Sequence, residues 1–191
     1  AEEVGLFGSK YLDYSCLDSK YAFVLNSGGE VGTIINSAPA EEDFCIQVYG
    51  KAAHAGVEPE KGISAIKIAG EILHQLKIGR IDEETTVNIG MINGGEATNV
   101  VTEYLMMKGE VRSRKDTKIN KEISKIKEVC QKVANDWGTK VEVDVKRAYP
   151  GFNLTEEEKV VEISQTAAKE IGVKPQLQPR GGGSDPKFFN N

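Results

Sequence analysis

Apolar and polar residues alternate along four short segments in the middle of the chain. In the first of them, Phe44, Ile46 and Val48 fall on one face, while Cys45 and Gln47 fall on the other. A period of two predicts a β-strand. The four segments are 43–50, 85–92, 104–112 and 141–145, and the Gly94-Gly95 pair after the second predicts a turn.

Two further segments repeat their apolar residues at the spacing of a helix face. The first helix is predicted over 60–77, with a stripe formed by Ala65, Ile66, Ala69, Ile72, Leu73 and Leu76. The second is predicted over 117–137, with a stripe formed by Ile119, Ile123, Ile126, Cys130, Val133 and Trp137. We expect Asp116 to cap the start of the second helix and Gly138 to end it.

The order of these elements is β-α-β-β-α-β, which is the ferredoxin-like pattern. Both helices can cover one face of a four-stranded antiparallel sheet, so residues 41–149 are predicted to form an α+β domain of their own. The edge strands of such a sheet carry unpaired backbone groups, and pairing them across a two-fold axis would satisfy these groups. The pattern therefore favours self-association through this domain.

The two flanks, residues 1–40 and 150–191, are predicted to be segments of a second, α/β domain that the middle domain interrupts. We expect a short helix within 4–13, an apolar strand at 21–25 and a second extended segment at 30–38. In the other flank, Thr155 and Glu158 have the spacing of a capping box before a helix that Gly172 would end.

Composition and charge exclude several classes of protein. The 191 residues are 39% hydrophobic, which suffices for an ordinary core, and no apolar run is long enough to cross a membrane. A net charge of −5 disfavours a nucleic-acid partner. Three widely spaced cysteines fit neither a disulfide framework nor a zinc cluster, and indicate a reducing compartment such as the cytoplasm. Because the chain opens at Ala1 without Met, we expect it to be part of a longer protein.

Two features of the sequence offer catalytic groups, one at the start of the chain and one in the predicted middle domain. Adjacent carboxylates at Glu2 and Glu3 can divide labour, one binding a metal and the other moving a proton, although acids are also favoured in any first helical turn. His54 is flanked by small residues that let another molecule approach, yet a lone histidine is also compatible with a purely structural role.

Three other features offer binding groups. Arg112 ends a strand and could hold a carboxylate with two hydrogen bonds, or it could be a solvated strand terminus. Asn99 could orient a substrate amide or satisfy a turn. The glycines at 181–183 could bring backbone N–H groups close to an anion, or they could form a flexible connector.

Together, five segments resemble, in their order, the peptidase T-like family of co-catalytic dizinc metallopeptidases, which also contains acetylornithine deacetylase and succinyl-diaminopimelate desuccinylase. The matching segments are 2–8, 51–56, 94–101, 109–112 and 181–185. The resemblance implies a zinc-dependent aminopeptidase or tripeptidase that hydrolyses the N-terminal bond of short peptides or a similar amide of an acyl-amino acid. It also implies a homodimer formed through a lid domain at 41–149.

The resemblance implies catalytic and metal-binding roles for four residues. Glu2 resembles the general base and Glu3 a zinc ligand. Asn26 stands where the family has an aspartate ligand, and an amide oxygen is a weaker ligand for Zn²⁺ than a carboxylate. His54 resembles the lid histidine that reaches a substrate carbonyl oxygen, often in the partner subunit's site. Since the family's other ligands lie outside this segment, we expect the chain alone to be inactive.

The resemblance also implies substrate-binding roles. Asn99 and Arg112 resemble lid residues that hold the substrate's terminal carboxylate, and Gly182 and Gly183 resemble the loop that lines the same pocket. We therefore expect Arg112 to lie within reach of Asn99, with His54 nearby or supplied by a second chain. The alternative function is a non-catalytic ferredoxin-like module for dimerisation or small-ligand binding.

Overall fold

The computed structural model describes residues 6–183 and 185–189, apart from the side chain of Phe7. Contacts divide the chain into two compact units, one formed by residues 1–41 and 148–191 and the other by residues 42–147. In the described ranges, no helix is both long and apolar enough to traverse a bilayer.

The unit at 42–147 consists of one sheet with two long helices. Its elements are β2 (Ala40–Tyr49), α2 (Ala65–Gln75), β3 (Gly79–Arg80), β4 (Thr85–Gly94), β5 (Tyr104–Ser113), α3 (Asp116–Trp137) and β6 (Val141–Tyr149). The strand order is β3-β4-β5-β2-β6. Leaving out β3, this is the ferredoxin-like order, so the predicted fold class is confirmed.

The sheet has five strands rather than the expected four, because the short strand β3 adds to its edge. β3 pairs antiparallel with β4 at only two positions, Gly79 with Val87 and Arg80 with Thr86. A positive φ of 97° at Gly79 shapes the chain there, which favours glycine. A strand of two residues, such as β3, is too short to show the alternation that predicts a strand from sequence.

Helix α2 begins later than predicted, at Ala65, where the Ser64 hydroxyl accepts a hydrogen bond from the Lys67 backbone N–H. Pro59–Lys61 forms a separate 3-10 turn. The buried face is Ala65, Ile68, Ala69 and Ile72, so the prediction that Ile66 belongs to it is wrong. Ile66 lies about 100° around the helix from Ala65 and is 52% exposed.

Helix α3 lies within one residue of its predicted bounds and ends at Gly138, whose φ of 61° confirms the predicted stop. Asp116 is not its cap: the N-cap is Lys115, and Asp116 is the first helical residue. The Asp116 carboxylate instead pairs with Arg147 at 2.9 Å. The predicted stripe is buried from Ile119 to Val133, while Trp137 is half-buried and donates a hydrogen bond to Glu71 at 2.7 Å.

The core of this unit lies between the helices and one face of the sheet. Phe44, Ile46 and Val48 of β2 are buried as predicted, together with Leu105, Met107 and Val111 of β5. Gly109 lies against Phe44, and a Cβ at Gly109 would stand 2.1 Å from the carbonyl oxygen of Asn88. The opposite face of the sheet carries the polar residues.

Among the described residues, the other unit has a three-stranded sheet, three α-helices and a 3-10 turn at Tyr14–Cys16. Its elements are α1 (Phe7–Lys10), β1 (Thr33–Ala38), β7 (Phe152–Asn153), α4 (Lys159–Glu170), β8 (Gln176–Pro179) and α5 (Pro186–Phe189). β1 is central, antiparallel to β7 and parallel to β8. The predicted extension at 30–38 is confirmed from Thr33 onward.

Two details of this unit differ from the predictions. Residues 21–25 form no strand, and Leu25 is 99% exposed, because apolar residues make a strand only where a partner strand is available. The short helix expected within 4–13 is confirmed as the single turn α1. The capping box is absent: Glu158 is the N-cap of α4 without a side-chain bond, although Gly172 follows the helix with a φ of 75° as expected.

Candidate functional site

Two loops at the same end of the sheet hold His54 and Asn99. The Ala55 N–H donates to the Asn99 carbonyl oxygen at 2.9 Å, and the Val101 N–H donates to the Ala53 carbonyl oxygen at 2.9 Å. His54 itself forms an isolated antiparallel bridge with Val100. These bonds tie loop 51–63 to loop 95–103, so the structure brings His54 and Asn99 together.

The imidazole of His54 is exposed but oriented. Its Nδ1 accepts a hydrogen bond from the Gly56 N–H at 3.2 Å, while its carbonyl oxygen accepts from Val57 and Glu58. Because Nδ1 is an acceptor, a neutral imidazole here carries its proton on Nε2. His54 therefore presents an N–H donor, which suits an interaction with a carbonyl oxygen.

Arg112 is held by an acid on its own strand. Its Nε donates to Oε1 of Glu110 at 2.8 Å, and its Nη2 donates to Oε2 at 2.9 Å. Residues two apart on a strand share a face, and this two-bond arrangement fixes the plane of the guanidinium. The Arg112 side chain remains 27% exposed. Sequence reasoning missed Glu110, although its position two residues before Arg112 was the available signal.

The surroundings of Arg112 are charged. Desolvation and the neighbouring Glu110 carboxylate raise the pKa of Asp43, while Lys146 and Arg112 act in the opposite direction. A cavity of about 470 Å³ opens beside these groups, with Asp43, Glu110, Lys108 and Lys146 among its lining residues. This end of the sheet thus combines both signs of charge.

The expectation that Arg112 lies within reach of Asn99 in one chain is wrong. In the β4–β5 hairpin, Gly94 pairs with Leu105 next to the Asn99 loop, whereas Thr86 pairs with Arg112 at the other end. Seven residues of strand separate Leu105 from Arg112, which is about 23 Å. The structure therefore brings His54 and Asn99 together and leaves Arg112 apart from them.

The remaining candidates lie in the other unit. Gly182 and Gly183 are exposed, and a Cβ on Gly183 would lie 3.3 Å from the hydroxyl oxygen of Tyr149. Asn26 is exposed in a segment without regular structure. Glu2 and Glu3 lie outside the described residues.

The described residues do not by themselves fit a zinc centre. In the ranges 6–183 and 185–189, no group of three or more His, Cys, Asp or Glu side chains is placed to hold a metal ion. A zinc site needs three or four convergent ligands.

Comparison with known proteins identifies relatives over most of the chain. Residues 43–138 match the family described as peptidase dimerisation domain. The uncharacterized protein YqjE of Bacillus subtilis is 45% identical over 184 residues, covering 96% of this chain and 50% of that protein. Peptidase T of Brevibacillus brevis is 27% identical over 189 residues, covering 96% of this chain and 45% of that protein.

Two solved structures are similar in fold and sequence. Aminopeptidase PepT from Bacillus cereus has a TM-score of 0.89 and 41% identity, covering 98% of this chain and 50% of that one. A tripeptidase from Staphylococcus aureus has a TM-score of 0.92 and 36% identity, covering 99% and 50%. The chain spans about half the length of these relatives. On the match over residues 43–138, the chain belongs to the peptidase dimerisation domain family.

Proposed function

We propose that this chain belongs to a zinc-dependent exopeptidase of the peptidase T kind, which removes N-terminal residues from short peptides. The observation that carries the proposal is the similarity to an aminopeptidase and a tripeptidase along nearly the whole chain, including both flanks of the dimerisation domain. In this proposal the metal is held mainly by residues outside this chain, together with Glu3, and Glu2 is the general base. Asn26 remains a candidate ligand.

We place the protein in a reducing compartment such as the cytoplasm. Cys16, Cys45 and Cys130 are all free, although Cys16 is exposed. Structural disulfides are typical of oxidising compartments, and free thiols are tolerated where reductants keep them reduced.

We further propose that the dimer forms along the edge of β4. β3 pairs with this edge only at Thr86 and Val87. Of the residues that follow, 88–94, all except Ile89 are exposed. Met91 and Ile92 are 59% and 56% exposed there. An apolar edge of this kind favours addition of another strand, and the family description makes a second copy of this chain the expected partner.

Pairing these edges would bring Arg112 of one subunit close to Asn99 of the other. If residues 88–94 pair antiparallel with themselves, the two-fold axis lies near Met91, and Gly94 of each chain faces the partner subunit's Asn88. The following loop, which carries Asn99, then extends toward the partner's Thr86, the residue that pairs with Arg112 on β5. Each site would therefore combine Arg112 of one subunit with His54 and Asn99 of the other.

In this composite site each side chain has a defined task. Arg112, oriented by Glu110, binds the carboxylate of a short peptide or acyl-amino acid. His54 donates from Nε2 to the carbonyl oxygen of the bond to be cleaved, where negative charge develops. Asn99 adds an amide that can hydrogen-bond the same substrate.

The test uses the longer protein and a tripeptide with either a free or an amidated carboxyl terminus. Arg112→Ala removes a charge-assisted hydrogen bond that contributes about 1.5–3 kcal/mol. It should therefore raise KM for the free acid about 10- to 150-fold and leave KM for the amidated peptide little changed. Lys108→Ala, on the same strand and of the same charge, is the matched control. An equal effect of Arg112→Ala on KM for both peptides would contradict the role of Arg112 in binding the substrate carboxylate.

The alternative function is a dimerisation or small-ligand module without catalysis. The observation that favours it is that residues 42–147 form a compact unit with its own core. Absence of tripeptide turnover by the zinc-loaded longer protein, with the dimer intact, would support this alternative over the peptidase.

A further inference from the structure

Three charged or polar side chains meet in the interior of the unit formed by the two flanks. Glu41, Tyr149 and Lys187 are 7%, 6% and 0% exposed. The Tyr149 hydroxyl donates to the Glu41 carboxylate, and the Lys187 ammonium donates to the Pro39 carbonyl oxygen. The same ammonium lies 3.9 Å from the centre of the Tyr149 ring. We name Glu41, Tyr149 and Lys187 the buried triad.

Burial makes this arrangement specific. A lysine without solvent contact is costly unless its charge is compensated, and here the face of the Tyr149 ring and the Pro39 carbonyl oxygen provide compensation. Removing one member would leave another buried group poorly compensated. The members therefore constrain one another to one geometry.

The buried triad joins parts of the chain that are far apart in sequence. Glu41 lies near the start of β2, Tyr149 ends β6, and Lys187 belongs to α5, a few residues after the glycines at 181–183. The two strand ends are also in close contact, since a Cβ at Gly151 would stand 2.7 Å from the Ala40 nitrogen.

Tyr149 is also the neighbour of the glycine loop. A Cβ on Gly183 would lie 3.3 Å from the Tyr149 hydroxyl oxygen and 3.4 Å from its ring carbons. Gly181 and Gly182 have no atom within 4 Å of the corresponding position. Contact with Tyr149 therefore fixes one end of the loop at Gly183.

We propose that Tyr149, held by Glu41 and Lys187, is a positioning residue that sets the backbone of the 181–183 loop. The inference rests on the proposed function, in which this loop lines the pocket for the substrate. Tyr149 acts through the loop and does not itself need to touch the substrate. A displaced loop would weaken substrate binding while the reacting groups remain in place.

The first arm of the test measures the loop directly in the 191-residue chain. Hydrogen exchange at residues 181–183 is compared between wild type, Tyr149→Phe and Lys187→Met. Val161→Ala is the control, because Val161 is 2% exposed in the same unit but lies outside the buried triad. We expect about tenfold faster exchange in Tyr149→Phe and Lys187→Met and unchanged loop exchange in Val161→Ala. Equal exchange in all variants would overturn the proposal.

The second arm measures peptide hydrolysis in the longer protein. Tyr149→Phe should raise KM about tenfold with kcat within about twofold, and Gly183→Ala should have less effect in the Tyr149→Phe background than alone. Additive effects of the two substitutions would overturn the coupling. If wild type hydrolyses no peptide, the proposed function fails, while the exchange arm still decides the role of Tyr149.

Discussion

Replacing Ile92 with lysine should weaken self-association of the chain without unfolding it. Ile92 lies on the uncovered part of the β4 edge, opposite Met107 of β5, and is 56% exposed. A lysine there places a hydrated charge in the apolar contact that the proposed dimer would bury, which is how natural edge strands avoid pairing.

The magnitude follows from the exposed part of the isoleucine. Burying a whole isoleucine side chain contributes about 1.5–3 kcal/mol, so covering a little more than half contributes about 1–1.5 kcal/mol. A two-fold interface contains the residue twice, and the substitution therefore removes about 2–3 kcal/mol. This corresponds to a dissociation constant about 30- to 150-fold higher.

Sedimentation equilibrium over a concentration series would measure this constant for the wild type and the variant. Ile171→Lys is the matched control, because Ile171 is 71% exposed but lies in the other unit, at the end of α4. Circular dichroism should show the same far-ultraviolet spectrum for all three proteins, which verifies that each is folded. A dimer of unchanged affinity in Ile92→Lys, or equal weakening in Ile171→Lys, would refute the β4 edge as the interface.

Other predictions concern stability and reactivity. The hydrogen bond from Lys118 lowers the pKa of Asp82. The ionised Asp82 therefore contributes its full stabilisation above about pH 4, and this stabilisation is lost as the pH falls further. Lys118→Met should flatten the acid dependence of the thermal midpoint. Burial raises the pKa of the Cys130 thiol to about 12, so exposed Cys16 should react with a thiol reagent in the native state and Cys130 only in urea. Gly109→Ala should reduce the free energy of unfolding by about 3 kcal/mol or more in urea titration, since its Cβ would stand 2.1 Å from a backbone oxygen; a smaller loss would contradict the close packing there.

Periodicity predicted the elements that bury one face. The alternation at β2 and the apolar stripe of α3 are confirmed because each pattern reflects which residues meet the core. The caps at Asp116 and Thr155 were wrong because capping depends on backbone angles at the helix start, which composition alone does not determine. Residues 21–25 had strand-forming composition but lacked a partner strand among the described residues.

The site was only partly predictable. The motifs around His54, Asn99 and Arg112 predicted substrate-binding groups, and loop pairing brings the first two together. The separation of Arg112 follows from strand length and register, which the motifs do not contain. The buried triad joins positions more than a hundred residues apart, and no local pattern connects them.

Mixed dimers test the central claim, that each site combines residues of two subunits, most directly. In the longer protein, assayed at a tripeptide concentration well below the wild-type KM, His54→Ala and Arg112→Ala would each strongly reduce the activity of both sites of a homodimer. A mixed dimer would retain one intact site, with the Arg112 of one subunit and the His54 of the other. Random association makes about half of the dimers mixed, so co-expression of the two variants should restore about a quarter of wild-type tripeptidase activity. Activity no higher than that of the separate variants would contradict the composite site.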